Sequence, residues 1–446
     1  MPAILAQLSH IAMEYIDASM VGRLGAADSA SIGLVATTTW LFWGLVGSVA
    51  TGFSVQVAHR IGARDAAGAR SVLRQALVVA LGLSLTFGII AAAISPALPH
   101  WLGGSDDICE GATTYFFIVA ITLPFFEGTH LMSAMLRCSG NVKIPSMLNV
   151  MMCALDVLFN FLLIFPSRHF AIGSFTLTLP GAGLGIAGAA LGTLLAEAVT
   201  AIALAYFLFV RSPHMRLWHR IGENTLGAFR PTGRVLKKAL RIGAPIACER
   251  IIMCGAQITS TMIVAPLGTF AIAANSFGIN AESLCYMPGY GIADAATTLV
   301  GQSIGAQRHD LARRFAVITI VMGIGIMTLM GALMYIGAPL MMGIMTPVPE
   351  IINLGVSALR IEAFAEPMFA ASIVCYGVFV GMGDTLVPSA MNLICIWVVR
   401  ITLAVILAPI MGLDGVWLAM CIELNVRGIL YLIRMRKLKK MNTLQP

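Results

Sequence analysis

Charge is scarce in this chain. Only 11% of its 446 residues are Asp, Glu, Lys or Arg, and residues 29–58, 75–99, 171–196, 251–281 and 315–349 contain none. A soluble chain of this length needs far more charge to cover its surface, so a soluble globular protein is excluded. Alternating segments of the kind that build transmembrane strands are missing too. The cysteines, at 109, 138, 153, 248, 254, 285, 375, 395 and 421, form no C-x-x-C pair. Only Cys109 is expected to face the outside, which leaves neither a disulfide framework nor a zinc site. The histidines are dispersed, and H-E-x-x-H and G-x-S-x-G are lacking, which argues against a membrane-embedded enzyme. The N-terminus has no basic leader or small-residue cleavage site and carries Glu14 and Asp17. It reads as a membrane helix that starts abruptly.

What is present is apolar: 58% of the residues are hydrophobic and the mean hydropathy is +0.88. About 20 apolar residues cross a bilayer as a helix. Helices are predicted over 1–22, 29–56, 75–98, 112–136, 145–166 and 183–210, then over 242–265, 271–298, 315–338, 353–379, 388–410 and 412–434. Between them the basic residues sort strongly. One set of loops, with the linker 211–241 and the tail, holds 22 Lys and Arg, including Arg60, Arg137, Arg220, Arg308 and Lys439; the opposite set holds only Arg23 and Arg168. The positive-inside rule then places both termini and the linker in the cytoplasm. The net charge of +7 reflects this topology, so nucleic-acid binding is not indicated.

An internal repeat runs through the chain at an offset of 243 residues. Pro2 maps to Pro245, Leu24-Gly25 to Leu267-Gly268, Ile61-Gly62-Ala63 to Ile304-Gly305-Ala306, Pro124 to Pro367, Gly140 to Gly383 and Asn149 to Asn392. Register is lost after Asn149, where the first half carries an extra loop near 167–181. Six helices per copy bring both copies in from the same side, so a parallel repeat about the membrane normal is expected. The predicted organisation is an all-α integral membrane protein of twelve transmembrane helices: an N-terminal lobe (1–210), a basic cytoplasmic linker (211–241), a C-terminal lobe (242–434) and a basic tail (435–446). Two six-helix lobes joined in this way suit an alternating-access transporter.

Acids inside a membrane are costly and are functional candidates by default. They are Asp17, Glu127, Asp156, Glu197, Glu249, Glu282, Asp294, Glu362, Glu366 and Glu423. Asn149, Asp156 and Asn160 fall on one stripe of the fifth helix. A carboxylate flanked by amides can bind a bare cation through oxygens or take up a proton; a buried helix–helix network without transport duty is the alternative. Glu249 follows Pro245 by one turn, and Glu362 and Glu366 share a face beside Pro367. Glu423 and Arg427, four apart, are expected to pair. Glu127 and Glu282 are expected to face a central cavity, where they would attract cations. Trp40, Trp43, Tyr286 and Tyr290 suit stacking on aromatic cations, and Trp40 and Trp43 equally suit interface anchoring. The 26 Met offer adaptable surface, mostly as ordinary packing.

The segments IDASMVGRLG (16–25), NFLLIFP (160–166), GLGIAGAALGT (183–193), GQSIGAQRHDLARR (301–314) and GMGDTLVP (381–388) closely resemble the multidrug and toxic compound extrusion family. The likeness covers essentially the whole chain. It implies a V-shaped twelve-helix fold and export of organic, often cationic, compounds, driven by re-entry of Na⁺ or H⁺. It also implies that Asp17 is a coupling residue of the N lobe and that Thr193 matches a hydroxyl used for Na⁺. A Thr193 bonded back to its own helix is the alternative. The family's fifth helix reads Asn then Asp four residues on; here it reads Asp156 then Asn160, one turn displaced. The resemblance thus suggests a cation site at Asp17, Asp156 and Asn160, with Asn149 and Thr193 beside it. Glu127, Glu249, Glu282, Glu362 and Glu366 remain as cavity or second-lobe candidates. No cofactor beyond the coupling ion is expected, nor any metal beyond Na⁺, and a lipid-embedded monomer of the bacterial cytoplasmic membrane is the expected state. The alternative function is a lipid-linked oligosaccharide flippase of a related superfamily, and such proteins tend to line the cavity with Arg. Here membrane acids outnumber membrane Arg ten to four, which favours cationic cargo.

Overall fold

The computed structural model describes residues 2–172, 175–217 and 229–437. Arg220 in the linker and Lys439 and Lys440 in the tail lie outside the described residues. The first half forms α1 (Pro2–Gly22), α2 (Ala26–Gly62), α3 (Ala66–Ile94), a short α4 (Leu98–Trp101), α5 (Asp106–Cys138), α6 (Lys143–Ile164) and α7 (Gly185–Tyr206). The second forms α8 (Gly233–Val264), α9 (Thr269–Gly305), α10 (His309–Met345), α11 (Pro349–Glu362), α12 (Glu366–Met382), α13 (Leu386–Ile394), α14 (Thr402–Met411) and α15 (Leu413–Lys437). A π-helical stretch, Cys395–Ile401, joins α13 to α14, so those two make one rod. Among the described residues nine helices are long and apolar enough to cross a membrane, and α11 with α12, bent by 60° at their junction, would make a tenth. The rods α1 and α9 fall short of that measure; they carry Glu14 with Asp17 and Glu282 with Asp294.

The helix ends follow from local chemistry. Gly25 and Gly268, at φ 146° and 103°, open α2 and α9, and Gly140 and Gly383, at 95° and 81°, follow α5 and α12. After α2 and α9 the chain turns through a left-handed residue that is not glycine, Arg64 (φ 59°) and Gln307 (φ 57°). These positions are 243 apart, so the repeat is written in backbone geometry even where the residues differ. The next residue, Asp65, caps α3 by accepting the Gly68 N–H at 2.8 Å. That bond first, and then Arg60, hold its carboxyl below the usual carboxylate range.

Two departures from the sequence expectation have plain causes. The extra loop near 167–181 is an antiparallel hairpin, β1 (Pro166–Ile172) with β2 (Phe175–Ala182), in which Phe170 pairs with Leu177. Phe165, held extended at ψ 149° before Pro166, ends α6, as a residue preceding proline must; the run Phe175-Thr-Leu-Thr-Leu then alternates as a strand does. The α8 helix begins at Gly233, so Arg234, Lys237, Lys238 and Arg241 ride on a helix rather than on the linker.

The first helix of each repeat touches both bundles, α1 packing on α6 and α9, and α8 on α13 and α2. In the N-terminal bundle α2, α3, α5, α6 and α7 surround a core containing Phe53, Leu73, Leu131 and Leu136, and Val235 and Ala239 of α8 complete it. In the C-terminal bundle α9, α10, α12 and α15 enclose Val374, Phe379 and Tyr431, against which Ile4 of α1 packs. In lipid, apolar surface gains little by leaving its surroundings, so close packing of small residues carries helix association. The crossing of α2 with α9 is built that way. Ala58 and Gly62 face Gly301 and Gly305, again 243 apart in each case. A Cβ at Gly62 would land on the Gln302 carbonyl, and one at Gly305 on the His59 carbonyl. His59 Nε2 lies 2.9 Å from the Gly381 carbonyl oxygen, and Gln302 Nε2 donates to Cys138 O at 2.8 Å. These two hydrogen bonds are repeat images of one another. Arg137 and Asp294 add an ion pair of 3.6 Å nearby. The two lobes are thus closed at the end carrying the α2–α3 and α9–α10 turns.

Candidate cation and substrate sites

The N-lobe acids meet where α1, α6 and α7 pack. One turn of α6 separates Asp156 from Asn160, and both side chains point at Asp17 on α1. The Asn160 Nδ2 group donates to Asp17 Oδ1 at 2.8 Å and to Asp156 Oδ2 at 2.9 Å. Asp156 and Asn160 are each 1% exposed, whereas Asp17 keeps part of its surface exposed. Asp156 Oδ1 and Asn160 Oδ1 have no hydrogen-bond partner among the described residues. The donor set is oxygen-rich, with two carboxylates, an amide oxygen and a hydroxyl nearby, which fits Na⁺ or a proton and no soft metal. The Asn160 amide faces both carboxylates with its nitrogen; turned half a revolution, it would offer its oxygen to a cation.

The other N-lobe candidates divide. Thr193 donates to Ala189 O at 3.3 Å, the back-bond to its own helix, and sits beside Asp156. Asn149 is two turns, about 10 Å, along α6 from Asp156, and makes no bond to the cluster; its Oδ1 has no partner among the described residues. Gly192 was missing from the sequence expectation. A Cβ there would strike Asn160 Oδ1, so this glycine allows α7 to close over the amide. The signal lay in the small-residue stretch GAALGT, whose target on α6 is set by packing alone. Glu127 departs from expectation: it is 2% exposed, with neither oxygen bonded among the described residues. Its position on α5 turns it into the bundle rather than toward an open cavity. Trp43 stacks on Phe126 at 5.2 Å, whereas Trp40 is exposed.

In the C lobe Glu249 is fully satisfied. It accepts Tyr376 OH at 2.8 Å and Asn392 Nδ2 at 2.7 Å, and Tyr431 OH donates to Asn392 Oδ1 at 2.9 Å. Asn392 is the repeat image of Asn149, so the two lobes use the same amide differently. Glu362 and Glu366 flank the bend between α11 and α12, both buried and with no oxygen bonded among the described residues. The expected Glu423–Arg427 pair is present at 3.2 Å, and Arg400 joins it, donating Nε at 3.1 Å and Nη2 at 2.8 Å to Glu423 Oε2. Removing the carboxylate charge at this fully buried position leaves two guanidinium groups unbalanced. Glu423→Gln should therefore destabilise the protein by about 3–5 kcal/mol, read as a lowered unfolding temperature in detergent. An unchanged unfolding temperature would show that the triad does not hold α15.

Comparison with known proteins agrees with this fold. The MatE family model matches residues 2–162 and 245–406, two copies displaced by the repeat offset. "Probable multidrug resistance protein NorM" of Thermotoga maritima is 25% identical over 446 residues, covering 97% of this chain and 90% of the relative. The protein of the same name from Brucella suis is 27% identical, covering 98% and 91%. Among solved structures, a MATE in complex with MaL6 aligns with TM-score 0.89 at 23% identity, covering 98% of this chain and 95% of that one. A MOP superfamily transporter from Pyrococcus furiosus aligns with TM-score 0.88 at 22% identity, covering 98% and 93%. The resemblance read from the motifs is borne out, and the chain, a multi-pass membrane protein, belongs to the MatE family of transporters rather than to any family of enzymes.

Proposed function

We propose that this protein is a multidrug exporter that couples outward movement of small organic, chiefly cationic, compounds to re-entry of Na⁺ or H⁺. The relatives named for multidrug resistance support the efflux part of this reading. The observation that carries the coupling part is the Asp17–Asn160–Asp156 cluster, two carboxylates bridged by one amide inside an apolar lobe. Carboxylates this close do not both remain charged in such a place without sharing a cation or a proton. Uptake of the ion then redistributes the lobe between two arrangements that differ in affinity for cargo, and export follows from that difference. Thr193 and Gly192 position the amide; Glu249, with Tyr376 and Asn392, offers a second carboxylate–amide site in the other lobe.

Orientation completes the reading. With the basic loops in the cytoplasm, the α2–α9 crossing is a cytoplasmic gate, and the arrangement described here is open outward. The protein then acts as a monomer in the bacterial cytoplasmic membrane, with both termini inside. Everted vesicles containing the protein should accumulate a cationic dye when Na⁺ or H⁺ is high inside, and imposing the two gradients separately identifies the ion. A cysteine introduced at Asp106 should react with an impermeant reagent in intact cells, whereas labelling that requires permeabilisation would invert the orientation. Dye accumulation that ignores both gradients would exclude cation coupling.

A further inference from the structure

A groove of about 610 Å³ opens on the C lobe between α10, α11 and α15. It is separate from the cavity that Glu282, Tyr286 and Tyr290 line: α15 turns Trp417 and Arg427 to that cavity and Leu418 and Cys421 to this groove. The surface around the groove is apolar. Leu333, Ile336, Leu340 and Phe364 are each more than half exposed, as side chains that face lipid are. Inside this setting stands one formal charge, the exposed Arg360. No acid lines the groove, and Arg360 makes no ion pair among the described residues. Glu362 and Glu366 are buried within the lobe, and Glu350 lies ten residues, about 15 Å, nearer the start of α11. The single hydrogen bond of Arg360 among the described residues runs from Nε to the Tyr335 carbonyl at 3.4 Å. Pro339, which has no N–H, leaves that carbonyl without a helix partner. The guanidinium lies over the Tyr335 ring, 5.4 Å from its centroid, and its two terminal nitrogens remain unbonded among the described residues.

We infer that this groove holds the headgroup of an anionic phospholipid, with its phosphodiester on Arg360 and its acyl chains along Leu333, Ile336 and Phe364. An arginine on the membrane-facing side of a helix is rare unless something pairs with it. Guanidinium and phosphate match as a bidentate pair, and the free terminal nitrogens supply the donors. Ser357 and Asn353, one and two turns before Arg360 on the same face of α11, line the groove and suit the hydroxyls of a glycerol headgroup. A zwitterionic lipid brings an ammonium group for which the groove has no acid, whereas a lipid of net negative charge is neutralised by Arg360 alone. The depth agrees. Arg360 is about 16 Å along α11 from Pro349, a distance that spans the headgroup layer and the start of the hydrocarbon. A lipid seated there braces α10, α11 and α15 beside the 60° bend into α12.

Native mass spectrometry of the full chain in detergent tests this with three probes: dioleoyl phosphatidylglycerol, dioleoyl phosphatidylethanolamine and inorganic phosphate. Phosphatidylglycerol should occupy its tightest site at least about tenfold more tightly than phosphatidylethanolamine, the worth of one charge-assisted contact. Arg360→Gln, at an exposed position, should abolish that preference, and Ser357→Trp, which fills the groove, should do the same. Arg314→Gln removes an equal charge from the far end of α10 and should leave the preference in place. Phosphatidylglycerol should also raise the unfolding temperature of the wild type and not that of Arg360→Gln. A preference that survives in either groove variant, or that Arg314→Gln abolishes as fully, would overturn the proposal. Displacement of phosphatidylglycerol by inorganic phosphate would overturn it too, since the site would then belong to a free anion.

Discussion

Asp17→Asn and Asp156→Asn should each reduce gradient-driven export to the level of protein-free vesicles while the protein is still inserted and folded. The change removes one charge and keeps the shape, so packing against α6 and α7 survives. What is lost is the ability of the pair to hold a cation or proton between them, and with it the free-energy difference that biases one arrangement of the lobe over the other. Gly192→Ala should act in the same direction although it removes no ligand, because its Cβ displaces the Asn160 amide that bridges the two carboxylates. Energy-independent binding of substrate should persist in all three. Export by both Asn variants at wild-type expression would remove coupling from the N lobe and transfer it to Glu249, Glu362 and Glu366.

The second large effect concerns the proposed gate at the α2–α9 crossing. Gly62→Val or Gly305→Val places branched carbon where the partner helix's backbone carbonyl lies. Overpacking of this kind costs about 1–3 kcal/mol, and only the closed crossing bears it. That shifts the balance between closed and open crossings by roughly 5- to 150-fold. Spin labels on the exposed turns at Arg64 and Gln307 should report loss of the short-distance population, and transport should fall with it. The repeat makes a further demand: the two glycines occupy equivalent places, so their substitutions should have similar effects. A short-distance population preserved in both variants would mean that the α2–α9 crossing is not the gate.

Much of this was legible in the residues. Charge-free stretches located most of the membrane helices, and the 243-residue offset announced the duplication. The meeting of Asp17 with Asp156 and Asn160 was inferred from a helical stripe and from family likeness. The helix-to-helix geometry was not legible. That Gly192 shelters Asn160, that α1 and α8 also touch the opposite bundles, and that Arg400 joins Glu423 all depend on which faces meet, and a single helix's pattern does not encode its neighbour. The α2–α9 crossing was missed for a different reason. Ala58-x-x-x-Gly62 and Gly301-x-x-x-Gly305 stand in plain view at repeat-related positions, but small-x-x-x-small spacing is frequent in membrane helices and acquires meaning only once α2 is seen to cross α9. Glu127 was misplaced because an isolated acid on an apolar helix does not declare which side of that helix is enclosed.

The central claim is that an ion entering at Asp17, Asp156 and Asn160 drives cargo out, and its most direct measurement records both fluxes in one preparation. Liposomes containing the protein are loaded with a cationic dye, and an inward Na⁺ or H⁺ gradient is imposed while dye efflux and ion influx are followed together. The account predicts that dye efflux stimulates influx of one of the two ions in fixed proportion, and that Asp156→Asn abolishes both fluxes together. Dye efflux that proceeds with no accompanying cation influx, or coupled fluxes that persist in Asp156→Asn, would contradict it.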